Sequence, residues 1–438
     1  MVKERFQVFA RLKPTGDAPR FPYEIRTAKP LKDGSSRMVL RVPALQAPSR
    51  SHPAVTDVLD FGFHHVFDHV DHIGSEFATS SAQEEVFERV GRNVVVSALD
   101  GYNATLLCYG QTARGKTYTQ MGGDDYSVRG IIQRSIELVF DEVANRTESA
   151  QLRKDRSNPS FEVHICCIEV YNETAYDMLA HVKDGHNGLE NWPKVQAKQD
   201  CNGVMHLSNM TVCKCDSVEH AYDCLWISST NRRISSTPMN DKSSRGHCIF
   251  TIQIKQTLET PAGETKVRFS KLHFVDLAGS ERVHKTGYLM EKQTLKEARH
   301  INTSLHFLHH VIRELHQQCR KKETNRYIPY RSSMLTSILR DSLGGNSKTI
   351  FIATLSIEDI HLEETISTLR FSQSCGRIEN DVEVNEKLAA VRAEVAKVKM
   401  QNLHDQVAVQ GHIIQSLMEE KDSMKNEIAN LRSSPPPG

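Results

Sequence analysis

Gly110-Gln111-Thr112-Ala113-Arg114-Gly115-Lys116-Thr117 constrains this chain more than any other stretch. It has the spacing G-x-x-x-x-G-K-[ST]. Such a loop turns its backbone N–H groups onto nucleotide phosphates, its Lys reaches the β/γ-phosphates and its Thr hydroxyl ligates Mg2+. The loop needs a buried strand before it and a helix after it. Ala104–Tyr109 (A-T-L-L-C-Y) reads as that strand, and the residues from Lys116 onward can open the helix. A helix N-terminus there would favour an anion. Four fixed positions also arise by chance, so the surroundings have to supply the rest.

Two later segments supply it. A nucleotide switch needs a second strand ending in an Asp that holds Mg2+ through water, then a Gly whose N–H meets the γ-phosphate. Leu272–Val275 followed by Asp276 and Gly279, within Val275-Asp276-Leu277-Ala278-Gly279-Ser280-Glu281, meets that need. A hydroxyl-bearing loop must also close over the γ-phosphate. Asn240-Asp241-Lys242-Ser243-Ser244-Arg245-Gly246-His247 offers Ser243 and Ser244. Either segment alone reads equally well as a polar turn; in this order behind a phosphate loop they read as a nucleotide switch.

Together these residues resemble the kinesin motor family, over about residues 4 to 386. Further motifs carry the resemblance: Gly101-Tyr102-Asn103, Glu169-Val170-Tyr171-Asn172-Glu173, Ile301-Asn302-Thr303-Ser304-Leu305 and Asp341-Ser342-Leu343-Gly344-Gly345-Asn346. Val2–Pro14 with Thr237-Pro238-Met239-Asn240, and Pro329-Tyr330-Arg331-Ser332-Ser333-Met334, look most like the kinesin-nine (ciliary and flagellar) group, its B branch in particular. The resemblance implies an α/β, three-layer P-loop NTPase fold with a central, mostly parallel sheet of eight strands flanked by helices. The expected division is a motor domain over 1–376, a neck linker over 377–387, a short imperfect coiled coil over 388–432 and a Ser/Pro tail over 433–438.

The resemblance also implies roles. Gly110, Gln111, Thr112, Ala113, Arg114, Gly115, Lys116 and Thr117 would bind ATP, with Asn240 nearby. Arg11, Pro14 and Tyr118 would hold the adenine. Thr117 and Ser244 would ligate Mg2+, and Asp276 would hold the metal's water. Ser243, Gly279 and Asn302 would order the closed switches. Arg245 and Glu281 would pair across the switches, a bidentate and therefore geometry-sensitive latch. Lys285, Lys292, Lys296 and Arg299, and then Arg320, Lys321, Lys322, Arg326 and Arg331, would face the acidic microtubule. Without the resemblance such runs read as solvated faces. Asn385 would latch the docked neck linker, onto which Val382 and Val384 zip as a strand. Movement would be plus-end directed, in the cytoplasm and cytoskeleton and in a ciliary or flagellar axoneme.

Several positions depart from the family pattern. Ala113 stands where most members have Gly; if that position needs φ > 0, Ala costs about 1–2 kcal/mol. Arg114 replaces a small residue and is expected to add charge beside the phosphates. Gly246 replaces a Ser, Lys13 an Arg, and Met334 a Lys at a microtubule contact. A slow or non-motile microtubule-binding scaffold therefore stays open beside the motor. A small GTPase is disfavoured by the lack of an N-K-x-D stretch after Asp276.

The chain has 438 residues, 39% hydrophobic and 25% charged, the composition of a globular protein. Its formal net charge of +1 points to no polyanion, and no nucleic-acid partner is expected. Its charged start, Met1-Val2-Lys3-Glu4-Arg5, is unlike a secretory signal, and no apolar run is long enough to insert in a membrane. The ten cysteines show no zinc-type pairing; Cys213-x-Cys215 with Cys201 nearby is a faint metal hint, and reduced structural thiols are the reading taken.

Strands are expected over 6–12, 161–170, 249–255 and 267–276, helices over 81–99, 131–143 and 217–230, and loops over 13–57 (with strands) and 181–203. A long helix follows Glu281, with Ala298, Ile301, Leu305, Leu308, Ile312 and Leu315 on its buried stripe. Arg299, His306, His309, His310 and His316 lie on its other face, read as solvated or partner-facing rather than as a metal cluster. Leu388, Val391, Val395 and Val398, then Ile414, Leu417, Met424, Ile428 and Leu431, follow two heptad seams out of phase. They read either as a coiled coil through which two copies associate or as one amphipathic helix lying back on the motor.

Overall fold

The computed structural model describes residues 2–14, 23–27, 36–43, 56–68, 82–152, 159–180, 189, 192–200, 205–234, 246–259, 265–281, 292–321 and 326–388, with the backbone alone at 27, 42–43, 56–57, 199, 292–302 and 388. In chain order the first strands are β1 (Val2–Arg5), β2 (Gln7–Leu12), β3 (Tyr23–Thr27), β4 (Ser36–Pro43), β5 (Thr56–Phe63) and β6 (His65–Phe67). A helix over 82–99 follows; its middle, Phe87–Gly91, is a π-helical turn and its end is α1 (Arg92–Leu99). Next come β7 (Ala104–Tyr109), α2 (Lys116–Met121), α3 (Ile131–Leu152), β8 (Ser160–Tyr171), β9 (Thr174–Asp177), β10 (Lys194–Gln199), β11 (Met205–Ser208), β12 (Cys213–Cys215) and α4 (Val218–Ile234). The chain then runs through β13 (His247–Glu259), β14 (Thr265–Asp276), α5 (Lys292–Lys321), α6 (Met334–Ile338), β15 (Lys348–Leu355), α7 (Leu362–Cys375), β16 (Glu379–Val382) and β17 (Glu386–Leu388).

One twelve-stranded sheet, ordered β11-β10-β9-β8-β13-β14-β7-β15-β2-β6 with β12 on β8 and β17 on β14, forms the middle layer. It is mixed, not mostly parallel. The half β14-β7-β15-β2-β6 is parallel, and the half from β11 to β14 is antiparallel. The reason is connectivity: β13 and β14 are joined by only residues 260–264, which forces a hairpin. Short strands at the edges raise the count above eight. One of them, β10, corrects the loop reading of 181–203: K-V-Q-A-K-Q alternates, but only Val195 is fully buried, so its apolar face is thin.

Both faces of the sheet are covered, so β7 is buried throughout and apolar apart from Thr105. Leu107 and Tyr109 pack with Leu305, Leu308, Val311, Ile312 and Leu315 of α5 and with Leu369 and Phe371 of α7. Ala104, Leu106 and Cys108 pack on the opposite side with α1, α3 and Cys224 and Leu225 of α4. Each such side chain stabilises the fold by about 1.5–3 kcal/mol. The expected α5 stripe thus holds at Leu305, Leu308, Ile312 and Leu315. Helices α3 and α4 run past 143 and 230 because polar helix formers continue after the apolar stripe fades.

After α7 the chain stays on the body. Strand β16 pairs antiparallel with β1, Val2 facing Val382, and β17 pairs antiparallel with β14, Arg268 facing Glu386. Leu388, the residue that opens the heptad reading, closes β17; 389–438, which hold the expected coiled coil and tail, lie outside the described residues.

Asn380 fastens this return. It is 1% exposed and donates to the carbonyls of Ser342 (3.3 Å) and Ser347 (2.5 Å) and to Thr349 Oγ1 (3.0 Å), while its Oδ1 accepts from the Gly344 N–H (2.8 Å). Asn380→Ala orphans several buried groups at about 1–3 kcal/mol each. Its melting temperature should fall by clearly more than that of the exposed neighbour Asp381→Ala, which should stay within about 0.5 kcal/mol of the parent; thermal unfolding of both variants checks this.

Candidate nucleotide site and its switches

The Gly110–Thr117 loop leaves β7 and ends in α2, as its spacing requires. Gly110 has φ +154°, and a Cβ there would meet the Thr354 carbonyl oxygen at 2.3 Å, so no other residue fits. Ala113 sits at φ +60°, the left-handed region, and so carries the strain that its sequence position raises. The Lys116 ammonium donates to the carbonyls of Gly110 (2.9 Å) and Gln111 (3.0 Å). Burial pulls its pKa below the usual range, against the pull of Asp276 and Glu281.

Strands β7 and β14 run parallel with Cys108 opposite Asp276, which brings the two motifs together. Thr117 Oγ1 donates to Asp276 Oδ2 at 2.7 Å. Asp276 Oδ1 is buried and, among the described residues, meets no donor. A hydroxyl and an orphaned carboxylate oxygen side by side are hard oxygen donors, and they fit Mg2+ bound through one direct contact and one water.

The loop and the stretch after β14 are stitched further. The Ser280 N–H donates to the Gly110 carbonyl at 3.1 Å, and the Thr112 N–H donates to Glu281 Oε2 at 2.9 Å, with the Thr112 hydroxyl on the other carboxylate oxygen. Gly279 lies in the crook; a Cβ there would strike Thr112 Oγ1 and both Glu281 oxygens. Ser243, Ser244, Arg245 and Asn240 lie outside the described residues, as does the side chain of Asn302, so Glu281 is described here only against Thr112.

On the base side, the Arg11 guanidinium lies over the Tyr118 ring at 5.3 Å and donates to Gln83 Oε1 and Thr119 Oγ1, both at 2.9 Å. Burial pulls its pKa down to about 10. Lys13 donates to the Ala113 carbonyl at 3.0 Å, and Pro14 next to it is exposed. Arg114 corrects an expectation: its charge does not stand loose beside the phosphates. It pairs with Glu358 at 3.4 Å and contacts His361, whose ring also meets the Gln111 amide at 3.1 Å. Burial, with the Arg114 charge beside it, holds the His361 pKa below its usual range.

Three residues in this site were not assigned roles from the sequence. Arg232 of α4 reaches Asp276 Oδ2 at 3.3 Å and Glu169 at 3.4 Å. Burial opposes its charge, but the Cys248 thiol and the Glu169 and Asp276 carboxylates more than offset that, and its pKa ends above the ordinary value. A carboxylate in the otherwise apolar second half of β8, residues 165–171, was the signal for Glu169. His247 accepts the Ala278 N–H at Nδ1 (3.0 Å), so its proton sits on Nε2, toward Ser304 Oγ of α5 at 2.7 Å. His309 is a second correction. It does not stand on a wet face: its ring stacks on Phe371 at 3.9 Å and its Nε2 meets the Tyr109 hydroxyl at 2.7 Å, one residue before the phosphate loop.

The basic positions are scattered by comparison. Arg320, Lys321 and Arg331 are exposed. Arg326 is bound to Glu314 at 2.8 Å and to Gln317, so it is no loose surface cation. Lys285 and Lys322 lie outside the described residues; Lys292, Lys296 and Arg299 lie on α5 with only their backbone described. Met334 packs partly buried against the core. Asn385 donates its N–H to the Gly101 carbonyl (3.0 Å), accepts the Phe269 N–H (3.0 Å) and takes the Asn346 amide at Oδ1 (2.9 Å).

A family model described as the kinesin motor domain matches residues 33–378. The sheet begins earlier, since β2 lies inside it. Human kinesin-like protein KIF9 is 39% identical over 313 residues, 71% of this chain and 37% of that protein. Kinesin-like protein KLP1 of Chlamydomonas reinhardtii is 38% identical over 306 residues, 70% of this chain and 36% of that protein. This chain thus spans well under half the length of these relatives. Among solved structures, a fast kinesin superposes with TM-score 0.67 at 30% identity, covering 87% of this chain and 94% of that one. A KIF14 dimer solved with AMP-PNP in complex with a microtubule superposes with TM-score 0.69 at 30% identity, covering 88% of this chain and 97% of that one.

Burial pulls His247 and His273 both down to about 3, so both are neutral in the fold. Their folded pKa lies below the unfolded value of about 6.5. The stability they contribute is therefore whole above about pH 6.5 and is lost as pH falls toward 3, at about 1.4 kcal/mol per pH unit for each. His273→Gln should flatten the fall in unfolding free energy between about pH 6.5 and about pH 5 by that one-histidine slope; an unchanged slope would show that His273 titrates freely in the fold.

Proposed function

The chain belongs to the kinesin motor domain family, and from that premise we propose that it is a microtubule-stimulated ATPase motor, plus-end directed, working on the cytoskeleton of a cilium or flagellum. The Thr117–Asp276 contact, with an orphaned carboxylate oxygen beside a phosphate loop, is the observation that carries the ATPase reading. Likeness to a protein solved on a microtubule with AMP-PNP supports the partner, and likeness to KIF9 supports the ciliary group. The neck linker that follows the motor supports the direction.

Phosphoryl transfer to water needs charge neutralisation, an in-line water and a proton path. Lys116 exchanges the Gly110 and Gln111 carbonyls for the β/γ-phosphates. Bound Mg2+ would shield the phosphate charge, held by Thr117 and Ser244 and through water by Asp276, which pairs with Arg232. The Gly279 N–H meets the γ-phosphate. Glu281 leaves Thr112 for Arg245, and there takes the proton relayed from the attacking water. Arg11, Pro14 and Tyr118 hold the adenine. Because Ser280, Thr112 and Glu281 tie the loop to the stretch before α5, the nucleotide state is felt at the helix facing the microtubule. Asn385 holds the neck linker in its docked place. A slow, non-motile scaffold is the second reading, and the strained Ala113 is what favours it.

ATP turnover with and without microtubules tests this directly. Microtubules should raise it many-fold. Glu281→Ala should keep ATP binding and lose about 100-fold in turnover, about 2.7 kcal/mol in barrier. Equal turnover in variant and parent would sink the switch mechanism, and no microtubule response would leave the scaffold.

The face at the end of α5 has its own test. Reversing Lys321 and Lys322 to Glu should raise the microtubule concentration for half-maximal activation at moderate salt, with basal turnover unchanged. Unaltered co-sedimentation would mean that the patch is merely solvated.

A further inference from the structure

Strand β12 and the start of α4 form a strand–turn–helix unit at one edge of the sheet, away from the nucleotide loop. Cys213 and Cys215 are two apart on a strand, so their side chains share a face. Pairing with β8, Cys213 opposite Ile165 and Cys215 opposite Val163, sets that strand's position. Both cysteines belong to the apolar cluster that includes Ala221 and Cys224 of α4, so the shared face is the one turned to the helix. Ser217 sets where the helix begins: its hydroxyl accepts the His220 N–H at 3.2 Å and its carbonyl accepts the Ala221 N–H at 3.2 Å. His220 and Cys224, four apart, then lie on one helix face.

The result is a convergence of ligand atoms. The Cys215 sulfur, a His220 ring nitrogen and the Cys224 sulfur all lie within 4.8 Å of one another. The two sulfurs are 3.9 Å apart. Thiolates at two corners of a tetrahedron with Zn–S of about 2.3 Å stand about 3.8 Å apart, so they need almost no movement to share an ion. A disulfide would have to bring them to about 2.05 Å. Cys213 packs against the same cluster from the shared strand face, but its sulfur stands outside that 4.8 Å set and has to turn inward to serve as a fourth ligand. Buried thiols can pack merely as small apolar groups. That account covers Cys215 and Cys224, 2% and 3% exposed, but gives no reason for an exposed imidazole to meet them.

We propose that Cys213, Cys215, His220 and Cys224, spaced C-x-C-x4-H-x3-C, form a structural zinc site that pins the start of α4 to the sheet. Three thiolates and one imidazole are the donor set that tetrahedral zinc takes in closed structural sites. Each thiol gives its proton to the solvent as the ion enters. The far end of the same helix carries Arg232 to Asp276, so an ion at Cys215 and Cys224 sets the register of a helix that ends in the nucleotide site. The faint hint at Cys213-x-Cys215 thus finds partners across the turn, in residues whose spacing only the helix makes meaningful; Cys201 lies outside the described residues.

The test uses the whole chain, purified without a metal-binding tag, loaded with zinc and desalted. Elemental analysis should find equimolar zinc. Cobalt in its place should give the intense thiolate charge-transfer absorption and tetrahedral visible bands that report sulfur ligands. His220→Ala removes an exposed ligand and leaves the apolar packing alone. It should fold as the parent does and lose about 100-fold or more in zinc affinity, beyond what partners outside the coordination sphere cost. Cys224→Ser should abolish the cobalt charge-transfer band. A folded parent that holds no zinc and gives no such band, zinc held equally by His220→Ala, or a Cys215–Cys224 disulfide in the freshly purified chain would each overturn the site.

Discussion

One register holds the nucleotide site together. Strands β7 and β14 run parallel with Cys108 opposite Asp276, so the phosphate loop leaves the sheet at the level where β14 releases its acidic residue. The contacts around it follow. Thr117, one turn into the site, meets Asp276; Ser280 and Glu281 fall back onto Gly110 and Thr112; Arg232 comes over from α4 to balance the carboxylates of Asp276 and Glu169. A slip of one residue would turn every side chain of β7 to the other face and exchange the two cores.

The site is therefore a compact group of buried charges whose pairing is already complete at most positions. Lys116, Asp276 and Glu169 are nearly inaccessible and Arg232 is partly buried beside them, and a buried charge is tolerated only when it is paired. Asp276 Oδ1, without a donor among the described residues, points to where the arrangement expects something else. His247 belongs to the same economy of partners. Its neutral ring joins the backbone after β14 to Ser304 of α5, so the long helix is tied to the site through a group that cannot protonate without breaking a bond.

What could be read along the chain was whatever is local. The phosphate loop, the strand before it, the apolar stripe of α5 and the acidic end of β14 are written in consecutive residues and keep their meaning alone. Strand direction is not local: β13 and β14 read as two strands, and their ends, which leave only residues 260–264 between them and so force a hairpin and a mixed sheet, were not legible. Partners distant in sequence were least legible. Arg114 was read by its neighbours in the loop, yet it answers to Glu358 and His361 about 245 positions later. His309 was read by the polarity of its own helix, yet it answers to Tyr109 and Phe371.

The return of the chain after α7 has a mechanical meaning. Strand β17 lies antiparallel on β14, with Leu388 opposite Lys266, and β16 lies antiparallel on β1. Tension entering from the C-terminal side reaches the Leu388 pair before the Glu386 pair, and β16 only after both. Rungs loaded one after another peel like a zipper, whereas rungs loaded together resist in shear. The resistance of this segment at any instant is then that of the single rung under load, and the Asn385 bonds to Gly101, Phe269 and Asn346 stand midway as a catch at which peeling must pause.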